Sequence, residues 1–345
     1  MPESPGDEGQ RAYRDSGVDL EAAEQAVEQI SELARDASRS EVVDGVGGFA
    51  GLIDLGDGRL LAAATDGVGT KLEVARMAGK LGTIGIDLVA MSANDVLCTG
   101  AEPLLFLDYL AMGRLVADEV AAIVAGVAEG CRRAGCALLG GETAEHPGVM
   151  DEDRFDLAGF CVGIVSRDAL LGPDRVQAGD VLLGLRSTGL HANGFSLVRK
   201  VLLLPGRSLD EPVPALAGES LGEELLIPTA IYSQPVLGLR RTGLAHSAAH
   251  ITGGGLTGNL PRALPSGLGA EIDTSAWEPP AVVSLIASSA GLEMDELFSV
   301  LNMGIGMVVV IPPGAEDDAI AEVQGSDCTA VVIGRVTEGS GVNLR

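Results

Sequence analysis

The chain has 345 residues, 46% of them hydrophobic, which is material for two domains of ordinary size. Its 23 Lys and Arg stand against 49 Asp and Glu, and the formal net charge of −26 repels phosphate polymers and anionic lipid at long range, so nucleic acid and membrane are excluded as expected partners. A small anionic ligand then needs a local reversal of sign from a metal ion, a lysine or backbone N–H groups.

The N-terminus, "MPESPGDEGQRAYRDSG", lacks the basic start and apolar run of a secretory signal, and no apolar stretch approaches membrane-spanning length; the expected location is cytoplasmic. Residues 1–12 are polar, carry Pro and Gly, and are expected to be disordered. From Asp19, an N-cap, Ala23, Val27, Ile30 and Ala34 recur at helical spacing with acidic residues between them, which predicts an amphipathic helix. Short β-like runs follow at 49–55 and 60–64.

The second run ends in "TDGVGTKL". Asp66 sits where the strand runs out, and Gly67 and Gly69 let the backbone turn closely around a bound group. Thr70 and Lys71 add a hydroxyl and an ammonium, so the turn suits a phosphate and a metal ion; a hairpin turn with an exposed lysine is the alternative. The spacing is not the GxxxxGK[ST] phosphate-loop pattern.

A helix then runs through "IGIDLVAMSANDVLCTGAEP", stopped by Gly100 and Pro103. Asp87 and Asn94 share a side of it, about 10 Å apart along the axis, and Asp95 borders that stripe. Acidic groups inside an apolar segment are costly unless something neutralises them. A strand at 103–113, an amphipathic helix at 118–135, a strand opening into "GGETAEHPG" and a strand at 155–166 complete the first half. Glu142 and Glu145 offer carboxylates that join Asp66 and Asp95; His146 is either a ligand or a hydrogen-bonded loop histidine.

Residues 170–180 read as a linker into a second α/β unit, with a strand at 181–187, helices near 194–204, 221–240 and 281–290, and strands "IGMVVVIP" and "AVVIGRV" around a short helix. "STGLHANG" places His191 and Asn193 in a loop directly after a strand, where His191 has the titration range of a general acid or base. Gly253, Gly254 and Gly255 can turn successive N–H groups toward an anion. The five cysteines show no CxxC and read as inert buried thiols.

Taken in order, "TDGVGTKL", "GIDLVAMSANDVLCTGAEPLLFLDYLA", "AEGCRRAGCALLGGETAEHPG", "DLAGFCVGIV", "STGLHANGFSLVRKVL", "AHITGGG" and "LNMGIGM" resemble the phosphoribosylformylglycinamidine cyclo-ligases, also called aminoimidazole ribonucleotide synthetases, of purine biosynthesis. The resemblance implies an α/β (α+β) architecture with an N-terminal domain over 13–169 and a C-terminal domain over 170–345, and N-terminal sheets that form a barrel across a homodimer. It also implies ATP and Mg²⁺ as cofactors, with formylglycinamidine ribonucleotide as the substrate that is closed to an imidazole.

By the same resemblance Asp66, Asp95 and Glu142 hold Mg²⁺. The nucleotide is held by these three with Gly67, Gly69, Thr70, Lys71, Asn94, Gly141 and Thr143. His191, Lys71 and Asp95 are the expected catalytic residues, and His191, Asn193, Gly253, Gly254 and Gly255 the expected substrate contacts. One departure is that Arg35, Ala37 and Ser40 stand where the family carries Lys, Thr and Pro, in a segment expected to close over the nucleotide. Another ATP-dependent small-molecule kinase of the same superfamily, or a silent nucleotide-binding scaffold, are the rival readings.

Overall fold

A computed structural model describes residues 7–203 and 208–345. The first half runs α1 (Asp7–Arg14), α2 (Leu20–Asp36), β1 (Val42–Asp44), β2 (Gly51–Asp54), β3 (Arg59–Gly67), α3 (Lys71–Ala78), α4 (Ile84–Cys98), β4 (Glu102–Met112), α5 (Ala117–Ala134), β5 (Ala137–Glu145) and β6 (Phe155–Ser166). The second runs β7 (Val181–Arg186), α6 (Phe195–Leu202), α7 (Leu221–Leu225), α8 (Ser233–Arg241), β8 (Ser247–His250), α9 (Gly255–Asn259), β9 (Leu268–Ile272), α10 (Ala281–Ala290), α11 (Met294–Leu297), β10 (Ile305–Ile311), α12 (Glu316–Gln324), β11 (Ala330–Glu338) and β12 (Val342–Leu344).

Each half builds one six-stranded sheet, in the orders β1-β2-β3-β6-β4-β5 and β12-β9-β11-β7-β10-β8. In the first sheet only β4 and β5 are parallel, because α5 carries the chain back between them. Along β3 the alternation is strict: Leu60, Ala62 and Ala64 are buried against the helices, and Thr65 faces the other way. The open face carries Ile53, Tyr109 and Phe160 at 38–39% exposure, with Leu139 at the edge strand at 65%.

The helix layer is held close by glycines. A side chain at Gly85 would collide with the backbone of Ile123 and Val127, and one at Gly126 with the Gly82 carbonyl, so α4 and α5 pack backbone to backbone. As a result every residue of α4 is buried except Asp95.

Two expectations change here. Residues 1–6 lie outside the described residues, but 7–12 are not disordered: they belong to α1, which packs on α11 and α6 and touches α11 so closely that a side chain at Gly9 would strike Glu296. The helix expected across 221–240 is instead α7 and α8, separated by residues 226–232. Pro228 cannot continue a helix, and Thr229 and Tyr232 give their N–H groups to α4 instead. Asp19 does cap α2, accepting from the Ala22 N–H at 3.1 Å, yet Val27, Ile30 and Leu33 along that helix remain exposed.

Candidate active site

The candidate site is built around Asp66 and Asp95. Asp66 ends β3 on its helix-facing side, with Oδ1 accepting from the Gly67 N–H at 2.7 Å. Burial first, and then the neighbouring Asp95 charge, push its carboxyl up to about 6, with His250 opposing. The Asp95 charge is near enough to raise the Asp66 carboxyl, and two neighbouring carboxylates are a chemically suitable donor pair for a divalent ion.

Asp95 is oriented from the second half. His250, at the end of β8 and 1% exposed, places Nδ1 2.9 Å from Asp95 Oδ1, while the Asp95 side chain keeps 18% exposure. Asn193, the half-buried Gly253 and Tyr13 lie together: a side chain at Gly253 would lie against the Asn193 amide and the Tyr13 hydroxyl. Sequence reading missed His250 because nothing local distinguishes it; only the pairing of β8 beside α4 does.

Several expected site residues are spent elsewhere. Lys71 is wholly buried: Nζ lies 2.9 Å from both oxygens of Asp87 and donates to the carbonyls of His191 (2.9 Å) and Ile227 (2.7 Å). With its donors consumed in the interior it does not reach a phosphate, so its assignment as a nucleotide and catalytic residue is corrected. Asp87 is its counter-ion and also accepts from the Thr229 N–H and hydroxyl at 2.7 and 2.6 Å.

Asn94 is likewise a structural tie: its amide donates to the Ala230 carbonyl at 2.9 Å and accepts from the Tyr232 N–H at 3.1 Å. It is fully buried and is not a nucleotide ligand.

His191 is 1% exposed, at a left-handed φ of 64°. Nε2 accepts long bonds from the Thr188 and Ala230 N–H groups, both 3.4 Å, and Nδ1 has no partner among the described residues. Burial, with the charges of His250 and Lys71 behind it, drives its pKa well below the usual histidine value. Burial thus favours its neutral form, and the ring is enclosed by the chain rather than presented to solvent.

Glu142 is also displaced from the pair. Asp66 registers with Gly159, Gly159 with Asp108 and Asp108 with Gly141, so Glu142 lies on the far edge strand. It registers with the exposed Tyr109, on the opposite face of the sheet from Asp66. Asp66, Asp95 and Glu142 therefore do not converge within one chain, and among the described residues no group of three or more His, Cys, Asp or Glu is placed to hold a metal ion. Gly141 is needed for space, since a side chain there would overlap the Asp108 carboxylate. Thr143 follows it, half-buried on β5. His146 bonds the Tyr109 hydroxyl at 3.0 Å, as a loop histidine does.

The glycine run is divided. Gly253 borders Asn193 and Tyr13 and Gly254 caps α9, but the Gly255 N–H donates to Thr252 at 3.0 Å and a side chain there would strike the Phe298 carbonyl, so Gly255 is a packing residue. In the segment expected to close over the nucleotide, Arg39 is paired with Glu41 at 2.7 Å and Arg35 bonds the Ser31 carbonyl of its own helix. Arg262 reaches back from beyond α9 to that side, stacking 3.9 Å over the Phe49 ring and donating to the Gly48 carbonyl at 2.9 Å.

Residues 47–165 match the family model "AIR synthase related protein, N-terminal domain", and 177–345 match "AIR synthase related protein, C-terminal domain". The chain is 51% identical over 334 residues to the phosphoribosylformylglycinamidine cyclo-ligase of Shouchella clausii (strain KSM-K16), covering 96% of this chain and 97% of the relative. The chain belongs to the phosphoribosylformylglycinamidine cyclo-ligase family. The cyclo-ligase of Myxococcus xanthus (strain DK1622) is 49% identical over 95% of this chain and 96% of its own. Among solved structures, AaThiL complexed with AMPPCP and TMP superposes with a TM-score of 0.63 at 18% identity, over 92% of each chain, which extends the cyclo-ligase fold to a more distant protein.

Proposed function

We propose that this enzyme closes the imidazole ring of formylglycinamidine ribonucleotide at the expense of ATP, at the site of Asp66 and Asp95. Full-length similarity to proteins named for that ligation carries the reaction. Asp95, the one residue of α4 that is not buried, carries the site.

The γ-phosphoryl group moves to the formyl oxygen of the substrate, forming a P–O bond as the bond to ADP breaks. The amidine-side nitrogen then attacks the formyl carbon, phosphate leaves with its oxygen, and a proton is lost from the nitrogen. Such a transfer is governed by positioning and charge neutralisation. Asp66 and Asp95 would hold Mg²⁺, which neutralises phosphate charge when bound; two carboxylates completed by phosphate oxygens suit its octahedral preference. His250 fixes the Asp95 rotamer through its ring N–H contact, and Asn193, Gly253 and Gly254 border the space for the organic substrate. Use of ATP is supported by the ATP analogue named in the AaThiL complex. No helix among the described residues is long and apolar enough to cross a membrane, which accords with a cytoplasmic enzyme acting on soluble ribotides.

The deciding assay is purified protein with ATP, Mg²⁺ and formylglycinamidine ribonucleotide, measuring ADP and the aromatic amine together. Both form in equal amounts with the native chain, and Asp95→Ala, at a partly exposed site, abolishes both while the thermal unfolding transition persists. ADP without the amine would favour a kinase of the same superfamily. Unchanged turnover in Asp95→Ala would remove the site.

A further inference from the structure

Beside this site, two cavities of ≈ 420 and ≈ 330 Å³ open onto one side chain, Arg199 of α6. The smaller is bounded by Gly69 and Thr70 where β3 gives way to α3; the larger continues past Ser196 and Lys200 to Asp15 and Ser16 after α1. Strand ends of this kind are where α/β units collect ligands.

The cations there are unevenly used. Arg76 is committed to Glu73 and Asp153, and Arg154 to Glu73. The side chains of the half-buried Arg199 and the exposed Lys200 make no hydrogen bond or ion pair among the described residues, although the Arg199 charge helps, after Arg76 and Arg154, to hold the Glu73 carboxyl below its usual range. In a chain of charge −26, Arg76, Arg154, Arg199 and Lys200 outnumber the carboxylates of Asp15, Glu73 and Asp156 along these two cavities, a local excess of positive charge that favours an external anion. The hydroxyls of Thr70 and Ser196 face each other across 3.1 Å at the junction, giving neutral donors beside the guanidinium. Position in the last turn of α6 explains why cations are tolerated there, but not why both cavities meet at Arg199.

We infer that Arg199, Lys200, Thr70 and Ser196 form a subsite for a phosphate monoester, the 5′-phosphate of the ribotide substrate. This rests on the ring-closure reading above and adds to it where the substrate's dianion sits. Thr70 is four residues from Asp66, a span of at most about 14 Å of extended chain, so a ribotide anchored at Arg199 reaches the carboxylate pair with its formyl end. The subsite also separates the two phosphate-bearing ligands, leaving the triphosphate to the Asp66 and Asp95 side.

The test is calorimetric titration of the full-length protein with ribose 5-phosphate, ribose and a non-hydrolysable ATP analogue, for the native chain, Arg199→Ala, Arg199→Lys and the exposed control Lys80→Ala. Ribose 5-phosphate binds the native chain and ribose does not. Arg199→Ala weakens ribose 5-phosphate by about tenfold to a hundredfold, the range for a lost charged hydrogen bond, with the ATP analogue within about twofold. Arg199→Lys, which keeps the charge, recovers part of the loss, and Lys80→Ala matches the native chain.

In turnover, Arg199→Ala raises KM for the ribotide with little change in kcat, as loss of uniform binding requires. Undiminished ribose 5-phosphate affinity in Arg199→Ala overturns the subsite, as does an equal loss for the ATP analogue, which would put the triphosphate in this groove. A native chain that binds ribose 5-phosphate through Arg199 but forms no aromatic amine upholds the subsite and removes the ring-closure reading.

Discussion

At His191 the backbone adopts a conformation that costs most residues strain, and the ring is sealed from water. Because burial holds this imidazole neutral, the folded protein fails to take up a proton that the unfolded chain accepts below its ordinary pKa of about 6.5. The unfolded state then binds more protons, and stability falls as pH drops below that value, by up to about 1.4 kcal/mol per pH unit. Asparagine tolerates a left-handed φ, so His191→Asn keeps the turn while removing the titration. Denaturant unfolding between pH 6.5 and 4.5 is expected to show a shallower acid dependence in the variant than in the native chain. Identical slopes would mean that the ring is already solvated and charged.

Among the elements, the segment 226–232 acts as a splice between the halves. Its backbone bonds Asp87 and Asn94 of α4 and the Lys71 ammonium of α3, so the helix that carries Asp95 is fixed by residues more than a hundred positions away. Removing one partner of the buried pair strands a charge: Asp87→Ala is expected to cost about 3–5 kcal/mol, whereas Lys71→Met with Asp87→Leu costs less than Asp87→Ala alone. Urea midpoints of the three variants measure this, and a double variant weaker than the single one would contradict it. The helix layer makes a separate demand. Gly126→Ala forces a methyl group onto the Gly82 carbonyl, and a loss of about 1–3 kcal/mol is expected from the separation of α4 and α5.

For the whole molecule, the open face of the first sheet is the feature left unexplained by a single chain. Ile53, Tyr109 and Phe160 project from it beside Leu139, an apolar surface suited to an isologous contact between two copies. On this reading the protein is a homodimer joined through that face. Phe160→Glu is expected to shift the sedimentation coefficient to that of a folded monomer. Glu142 registers with Tyr109 on the same face and so does not meet the Asp66 and Asp95 pair of its own chain; on the homodimer reading it is the partner's Glu142 that is tested. Mixing inactive Asp95→Ala and Glu142→Gln chains under exchange conditions is therefore expected to restore about a quarter of native activity, since half the dimers then carry one intact site. No recovery on mixing would assign Glu142 no part in the reaction.

Local rules already contained much of this architecture. The side-chain period predicted the strand at 155–166 with both ends correct, Asp19 announced the start of α2, and Gly135 at a φ of 77° stops α5 as its position in the pattern requires. These features depend on neighbours within a turn or a strand, and so does the chemistry that singled out Asp66 and Asp95. Whether a polar side chain serves a ligand or the interior depends instead on partners distant in the chain. Lys71, Asn94 and His191 look like site residues in isolation, yet the fold consumes them at Asp87, Ala230, Tyr232 and the backbone beside Thr188. Glu142 lies on the wrong side of its sheet because strand pairing, which no local pattern encodes, sets both register and face. The sequence thus determined which groups could do chemistry, and the tertiary structure decided which remain free to do it, because a buried polar group must first satisfy its own hydrogen bonds.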